Sequence, residues 1–105
     1  MKRKTKILLA DDHEVMRSAL RSLLDSREDL VVVGEAGNGR ELLAQIATGA
    51  PDVVVMDINM PELNGIEATR QLLSTHPHIR VLGLSIHIKG RMVSEMLNAG
   101  ASGYV

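Results

Sequence analysis

Val53-Val54-Val55-Met56-Asp57-Ile58-Asn59-Met60-Pro61 is the stretch on which the fold turns. Four apolar residues in a row, without polar alternation, suit a parallel strand that helices cover on both faces. A carboxylate follows at once, and then a proline that restricts the next loop. A second stretch has the same form: Ile7-Leu8-Leu9-Ala10 runs straight into Asp11-Asp12. If the two runs are neighbouring parallel strands, all three carboxylates emerge at one edge of the sheet. Like charges crowded there repel, and one carboxyl takes up a proton unless a cation neutralises the group. A hard divalent ion held by oxygens, Mg²⁺ with several retained waters, is the economical neutraliser. A site of that kind is suited to handling a phosphoryl group.

Outward from these stretches, short apolar runs alternate with helical patterns. Lys6–Ala10 reads as a buried strand, and Asp12 is placed to cap the helix after it. In that helix Val15, Met16, Ala19, Leu20, Leu23 and Leu24 make one apolar stripe. Leu30–Gly34 is the next strand. Asn38 in Gly37-Asn38-Gly39 is a plausible cap for a helix carrying Leu42, Leu43, Ile46 and Ala47, which Gly49 and Pro51 end. After Val53–Met56, the positions Ile66, Thr69, Leu72 and Leu73 give a third helix, closed before Pro77. Val81–Ser85 is a fourth strand. Met92, Val93, Met96 and Leu97 give a fourth helix, stopped by Gly100, and Gly103-Tyr104-Val105 opens a fifth strand. The alternation argues for an α/β domain with a parallel sheet and right-handed crossovers. In open sheets of this kind the site lies beyond the carboxyl ends of the strands, where the strand order reverses. The aspartates stand there, and Ser85 should reach the same edge.

Bulk properties narrow the function. The 105 residues suffice for one domain with one core. The net charge of −1 gives no overall pull towards nucleic acid or an anionic membrane. The absence of cysteine excludes disulfides, thiolate catalysis and cysteine-ligated metals, and it fits a reducing, cytoplasmic setting. No apolar run approaches the roughly 20 residues that span a bilayer, and the basic start is followed by too short an apolar run for a secretory signal. Tyr104 is the sole aromatic residue, so the core must be aliphatic and methionine-filled. His13, His76 and His78 lack metal-ligand spacing with one another and read as surface residues. Gly65 is expected to supply either an unusual φ or space at a helix start.

Taken together, Asp11-Asp12, Asp57-Ile58-Asn59-Met60-Pro61 with Gly65, Leu84-Ser85, and Asn98-Ala99-Gly100-Ala101-Ser102-Gly103-Tyr104 resemble the receiver domain of bacterial two-component response regulators. The similarity runs the whole length, so residues 1–105 are taken as one receiver (phosphoacceptor) domain. Leu84-Ser85-Ile86-His87 and Gly100–Tyr104 look most like the LuxR/NarL-type branch. The resemblance implies a flavodoxin-like, doubly wound, five-stranded parallel sheet of order 2-1-3-4-5. It makes Asp57 the phosphoacceptor. It gives Mg²⁺ (or Mn²⁺) to Asp11, Asp12, Asp57 and the backbone carbonyl of Asn59. It assigns Ser85 a hydrogen bond to the phosphoryl group and makes Ser85 and Tyr104 the switch. It puts Ile86 and His87 where phosphate lifetime is modulated. The implied partners are a sensor histidine kinase, possibly a second copy, and DNA only through a C-terminal domain that these residues do not include. The protein would catalyse its own phosphoryl transfer and autodephosphorylation while serving a signalling role, with transcription as the output.

The bland readings stand beside these. Capping alone explains Asp12. Ser85 fits a turn, Tyr104 an edge-strand aromatic, and His87 a loop. The family also places a lysine three residues after the aromatic of its fifth strand, which falls past Val105, as does a fifth helix. The expectation is therefore a C-terminally incomplete receiver with apolar sheet surface left open. The alternative function is a receiver-shaped interaction module that is not phosphorylated. An aspartyl-phosphate phosphohydrolase would want a second aspartate where Asn59 stands, and a flavodoxin-type carrier would want aromatic surfaces for its flavin.

Overall fold

The computed structural model describes residues 3–58, 60, 63–84 and 90–104, with the backbone alone at 90–93 and 104. Asn59, Pro61, Ser85, Ile86 and His87, to which the sequence assigns roles, lie outside the described residues, as does the side chain of Tyr104.

Among the described residues five strands and four helices alternate: β1 (Thr5–Ala10), α1 (Glu14–Asp25), β2 (Leu30–Ala36), α2 (Gly39–Thr48), β3 (Val53–Asp57), α3 (Gly65–Thr75), β4 (Arg80–Leu84), α4 (Gly90–Asn98) and β5 (Gly103–Tyr104). The sheet is parallel throughout and ordered β2-β1-β3-β4-β5, as expected. Every two successive strands are neighbours except β2 and β3, since β3 lies on the far side of β1. The order therefore reverses between β1 and β3, and Asp11 and Asp57 stand at the carboxyl ends of those two strands. Ala10 pairs with Met56 at the top of that ladder.

Alternation along the strands sends side chains to two faces. On one, Leu8, Ala10, Val54 and Met56 pack with Leu42 and Ile46 of α2, Leu72 of α3 and Met96 of α4. On the other, Ile7, Leu9 and Val32 lie under Leu20 and Leu24 of α1, with Val53 and Val55 half-buried at the margin. The expectation that β3 is covered on both faces holds for Val54 and Met56 and fails for Val53 and Val55. The reason is that α1 packs chiefly over β1 and β2. For the same reason no residue of α1 is buried. Its apolar stripe divides: Leu20 and Leu24 pack on the sheet and Met16, four residues before Leu20, is half-buried, while Val15 and Leu23 remain 84% and 67% exposed. Among the described residues no helix is long and apolar enough to cross a membrane.

Helix starts follow local chemistry. Asn38 caps α2 by accepting from Glu41 N–H at 2.8 Å, and the Glu41 carboxylate accepts from Gly37 N–H at 2.6 Å, which satisfies two end donors reciprocally. Asn64 caps α3 through Glu67 N–H at 3.0 Å. At α1 the expectation was wrong: the cap residue is His13, and its side chain makes no cap hydrogen bond. Asp12 is displaced from that role because Asp11 accepts the His13 N–H at 2.8 Å, closing a turn one residue earlier.

Gly65 opens α3 for reasons of space. A Cβ there would sit 2.3 Å from the Asp57 carbonyl oxygen and 2.8 Å from Ile58 Cα, both backbone atoms. Among the described residues the sole glycine with positive φ is Gly100, at 112° after α4, so the alternative of an unusual φ at Gly65 falls away. Close approach lets Gly65 N–H donate to the Ile58 carbonyl at 2.9 Å, which ties α3 directly to the end of β3.

Candidate functional site

The three aspartates meet as their places at the strand ends imply. Asp11, Asp12, His13 and Asp57 each offer one ligand atom, and these atoms lie within 4.8 Å of one another. Their environments differ. Asp11 and Asp57 are buried, at 5% and 6% exposure, whereas Asp12 faces solvent. Two buried carboxylates this close need compensation, because a low-dielectric setting penalises like charges more than water does. The donor set fits a hard divalent ion in number, type and spacing.

The backbone holds Asp11 in place from two sides. Its N–H donates to the Ala36 carbonyl at 2.9 Å, which carries the β1–β2 ladder one residue past Ala10. Its carbonyl accepts from Arg17 Nη1. Asp57 is the last residue of β3 and pairs with Leu84 of β4, the residue before Ser85. Its carbonyl side is packed against Gly65.

Two residues that the fold brings to the cluster escaped the sequence reading. His13, taken for a surface residue, aims its Nδ1 into the cluster: 2.9 Å from Asp11 Oδ1, 3.1 Å from Asp12 Oδ1 and 3.7 Å from Asp57 Oδ2. The ring remains mostly exposed. The hydrogen bond to Asp11, followed by the negative charge of Asp12, raises its pKa and favours imidazolium. Spacing between histidines carried no signal for this. The signal lay in its place directly after two acidic residues at a strand end.

Arg17 is the second. Besides holding the Asp11 carbonyl, it donates through Nε to Glu35 Oε1 at 3.0 Å, and Arg21 engages the other oxygen of the same carboxylate. The guanidinium groups, Arg21 first, hold Glu35 below the usual carboxylate range. This ties α1 to β2 beside the cluster. Glu35 is ionised above its unfolded pKa, so its contribution is fully present at neutral pH. It is lost as pH falls through the depressed folded value. Discounted for the half-exposed Arg21, it is worth about 1 kcal/mol. Urea melts of the wild type and Glu35→Gln should thus differ by about that amount at pH 7 and converge in acid. A gap that persists or widens in acid would contradict the assignment.

The chain's relatives agree with this geometry. The family model for the response regulator receiver domain matches residues 7–105. The DNA-binding transcriptional activator DevR/DosR of Mycobacterium tuberculosis is 45% identical over 100 residues, 95% of this chain and 46% of that protein. The chain spans about half the length of the curated relatives it matches. Among solved structures, a LuxR-family two-component response regulator from Aurantimonas sp. aligns at TM-score 0.91 and 36% identity, covering 96% of this chain and 72% of that one. The signal receiver domain of NarL from M. tuberculosis aligns at 0.92 and 31%, covering 97% and 82%. A five-stranded parallel sheet of this order, an acidic cluster at its reversal point and a match over nearly every residue have one reading: this chain belongs to the response regulator receiver domain family, in its LuxR/NarL-type branch.

Proposed function

We propose that this chain is the phosphoryl-accepting part of a response regulator, with Asp57 as the acceptor and a sensor histidine kinase as the donor. The observation that carries the reading is the meeting of buried Asp57 with Asp11 and Asp12 at the edge where the strand order reverses. In the reaction an oxygen of Asp57 attacks phosphorus, the bond to the donor's imidazole nitrogen breaks, and that nitrogen keeps the electron pair. The product is an acyl phosphate on Asp57. Asp11, Asp12, Asp57 and the Asn59 carbonyl would hold Mg²⁺ (or Mn²⁺), which when bound supplies positive charge opposite the phosphoryl oxygens. Gly65 and the β3–β4 pairing fix where the attacking carboxylate stands, and the Arg17 contact fixes Asp11. Orientation of this kind is the protein's main contribution to phosphoryl transfer.

Ser85 and Tyr104 are assigned the switch, with Ile86 and His87 modulating lifetime. The start of β5 beside β4 puts residue 104 one strand from the end of β4, in keeping with a coupled pair. The output is transcription, through a DNA-binding region in the part of the relatives that this chain does not cover. Residues 1–105 are read as a receiver domain working in the cytoplasm and able to pair with a second copy. The test is intact-mass analysis after incubation with acetyl phosphate, with and without Mg²⁺. One base-labile phosphoryl group gained only with the ion is expected. No gain under either condition would favour the unphosphorylated interaction module.

A further inference from the structure

We propose that Glu35, on a strand that supplies no atom to the acidic cluster, is a positioning residue for the divalent ion. It fixes Arg17, whose hold on the Asp11–Asp12 peptide presets the two adjacent carboxylates. The inference rests on reading Asp11, Asp12 and Asp57 as the metal centre and deepens that reading.

Three contacts in series carry it. Glu35 Oε1 accepts from Arg17 Nε at 3.0 Å, Arg17 Nη1 donates to the Asp11 carbonyl, and the Asp11 carboxylate stands in the cluster. The Arg17 and Glu35 side chains are 17% and 26% exposed, so solvent screens their pairing less than it screens a surface pair. Gly37 flanks the guanidinium: a Cβ there would lie 3.5 Å from Arg17 Nη1. Glu35 is itself anchored. Its backbone carbonyl accepts from Gln45 Nε2 of α2 at 2.6 Å, and Arg21 engages its other carboxylate oxygen.

Holding a carbonyl orients two residues, because a peptide group is planar. Whatever fixes the Asp11 carbonyl also fixes the N and Cα of Asp12. Asp11 has further anchors in its N–H bond to Ala36 and its carboxylate bond to His13 N–H. Asp12 faces solvent, so the direction of its carboxylate depends on the backbone that carries it. A ligand whose backbone is preset loses less freedom when the ion binds. An arginine side chain has many rotamers, and Glu35 selects the one that reaches Asp11.

Positioning and plain charge predict opposite signs at Arg17. A guanidinium beside an acidic cluster repels a cation, so its removal should tighten binding if charge were all that mattered. If Arg17 presets the ligands, its removal should weaken binding.

Mg²⁺ titrations of the 105-residue chain, followed by the amide shifts of residues 11, 12 and 57, test this. Arg17→Met should weaken Mg²⁺ about tenfold, and Glu35→Gln should weaken it in the same direction. In the Arg17→Met background Glu35→Gln should add little, since both act through one contact. Arg21→Met loosens Glu35 on its outer side but leaves Arg17 engaged. It should lower stability in a urea melt and keep Mg²⁺ affinity near wild type. Arg17→Lys keeps the charge and lacks the fork that serves both partners, so it should bind weakly too, and it serves if the methionine variant does not fold. Tighter Mg²⁺ binding in Arg17→Met overturns the proposal in favour of charge alone. Additive effects of Arg17→Met and Glu35→Gln also overturn it, as does an Arg21→Met variant as weak as Arg17→Met. Wild-type affinity in every variant overturns this proposal and leaves the carboxylate centre intact. A wild type that binds no Mg²⁺ overturns the metal centre itself, and this proposal with it.

Discussion

Asp57→Asn should take up no phosphoryl group from acetyl phosphate under conditions in which the wild type gains one, and Mg²⁺ should no longer raise its melting temperature. Both effects come from one atom replacement. The amide lacks the anionic oxygen that attacks phosphorus, and it removes one of the three charges that attract the ion. The fold should survive, because Asn is nearly isosteric with Asp and the backbone pairing of Asp57 with Leu84 does not involve the side chain. Stabilisation by a ligand follows its occupancy of the folded state, so loss of the ion's effect on melting reports the site independently of phosphorylation. Asp12→Asn should retain the nucleophile and slow the uptake. The damaging result is a base-labile phosphoryl group retained in Asp57→Asn, on Asp11 or Asp12. That would leave the cluster in place and move the acceptor.

Gly65→Ala should cost about 3 kcal/mol of stability, at the upper end of what overpacking usually costs, and should slow phosphoryl uptake as well. The new methyl would lie 2.3 Å from the Asp57 carbonyl oxygen and 2.8 Å from Ile58 Cα. Backbone cannot rotate away as a flexible side chain would. Either α3 shifts off the end of β3, breaking the 2.9 Å bond from Gly65 N–H to Ile58, or Asp57 itself moves. A domain of this size has roughly 5–15 kcal/mol in all, so the loss is readily seen in a urea melt. Phosphorylation rates at a temperature where the variant is folded separate the two routes. If α3 yields, stability falls and the rate holds. If the acceptor strand yields, both fall. A variant of wild-type stability would mean that α3 and β3 are not in the contact described.

These two positions mark how far a sequence reading reaches. Asp57 was legible because its neighbours are. An unbroken apolar run announces a buried parallel strand, and a charge at its end must emerge at the sheet edge. The same local logic gave the alternation of strands and helices, the caps at Asn38 and the order of elements, since periodicity and capping depend on residues close in the chain. The strand order itself came from family resemblance. Gly65 was recognised as special, yet its reason was decided by the approach of α3 to β3, a contact between elements.

Asp12 was read as a helix cap and both acids as metal ligands, but nothing in the sequence told which of the two is buried. Pairing of Asp11 with β2 and the turn at His13 bury one and leave the other in solvent. Likewise α1 carries one continuous apolar stripe in sequence, but Leu20 and Leu24 pack on the sheet while Val15 and Leu23 stay exposed, because the helix lies chiefly over β1 and β2. His13 and Arg17 carry no periodic signal at all. Their roles arise where a strand end, a helix start and a neighbouring strand converge, and electrostatics among groups brought together by folding depends on distances that spacing along the chain does not encode. The sequence by itself determined the elements and which chemistry stands at their ends. The tertiary structure decided which of those groups share a dielectric, a hydrogen bond and an ion.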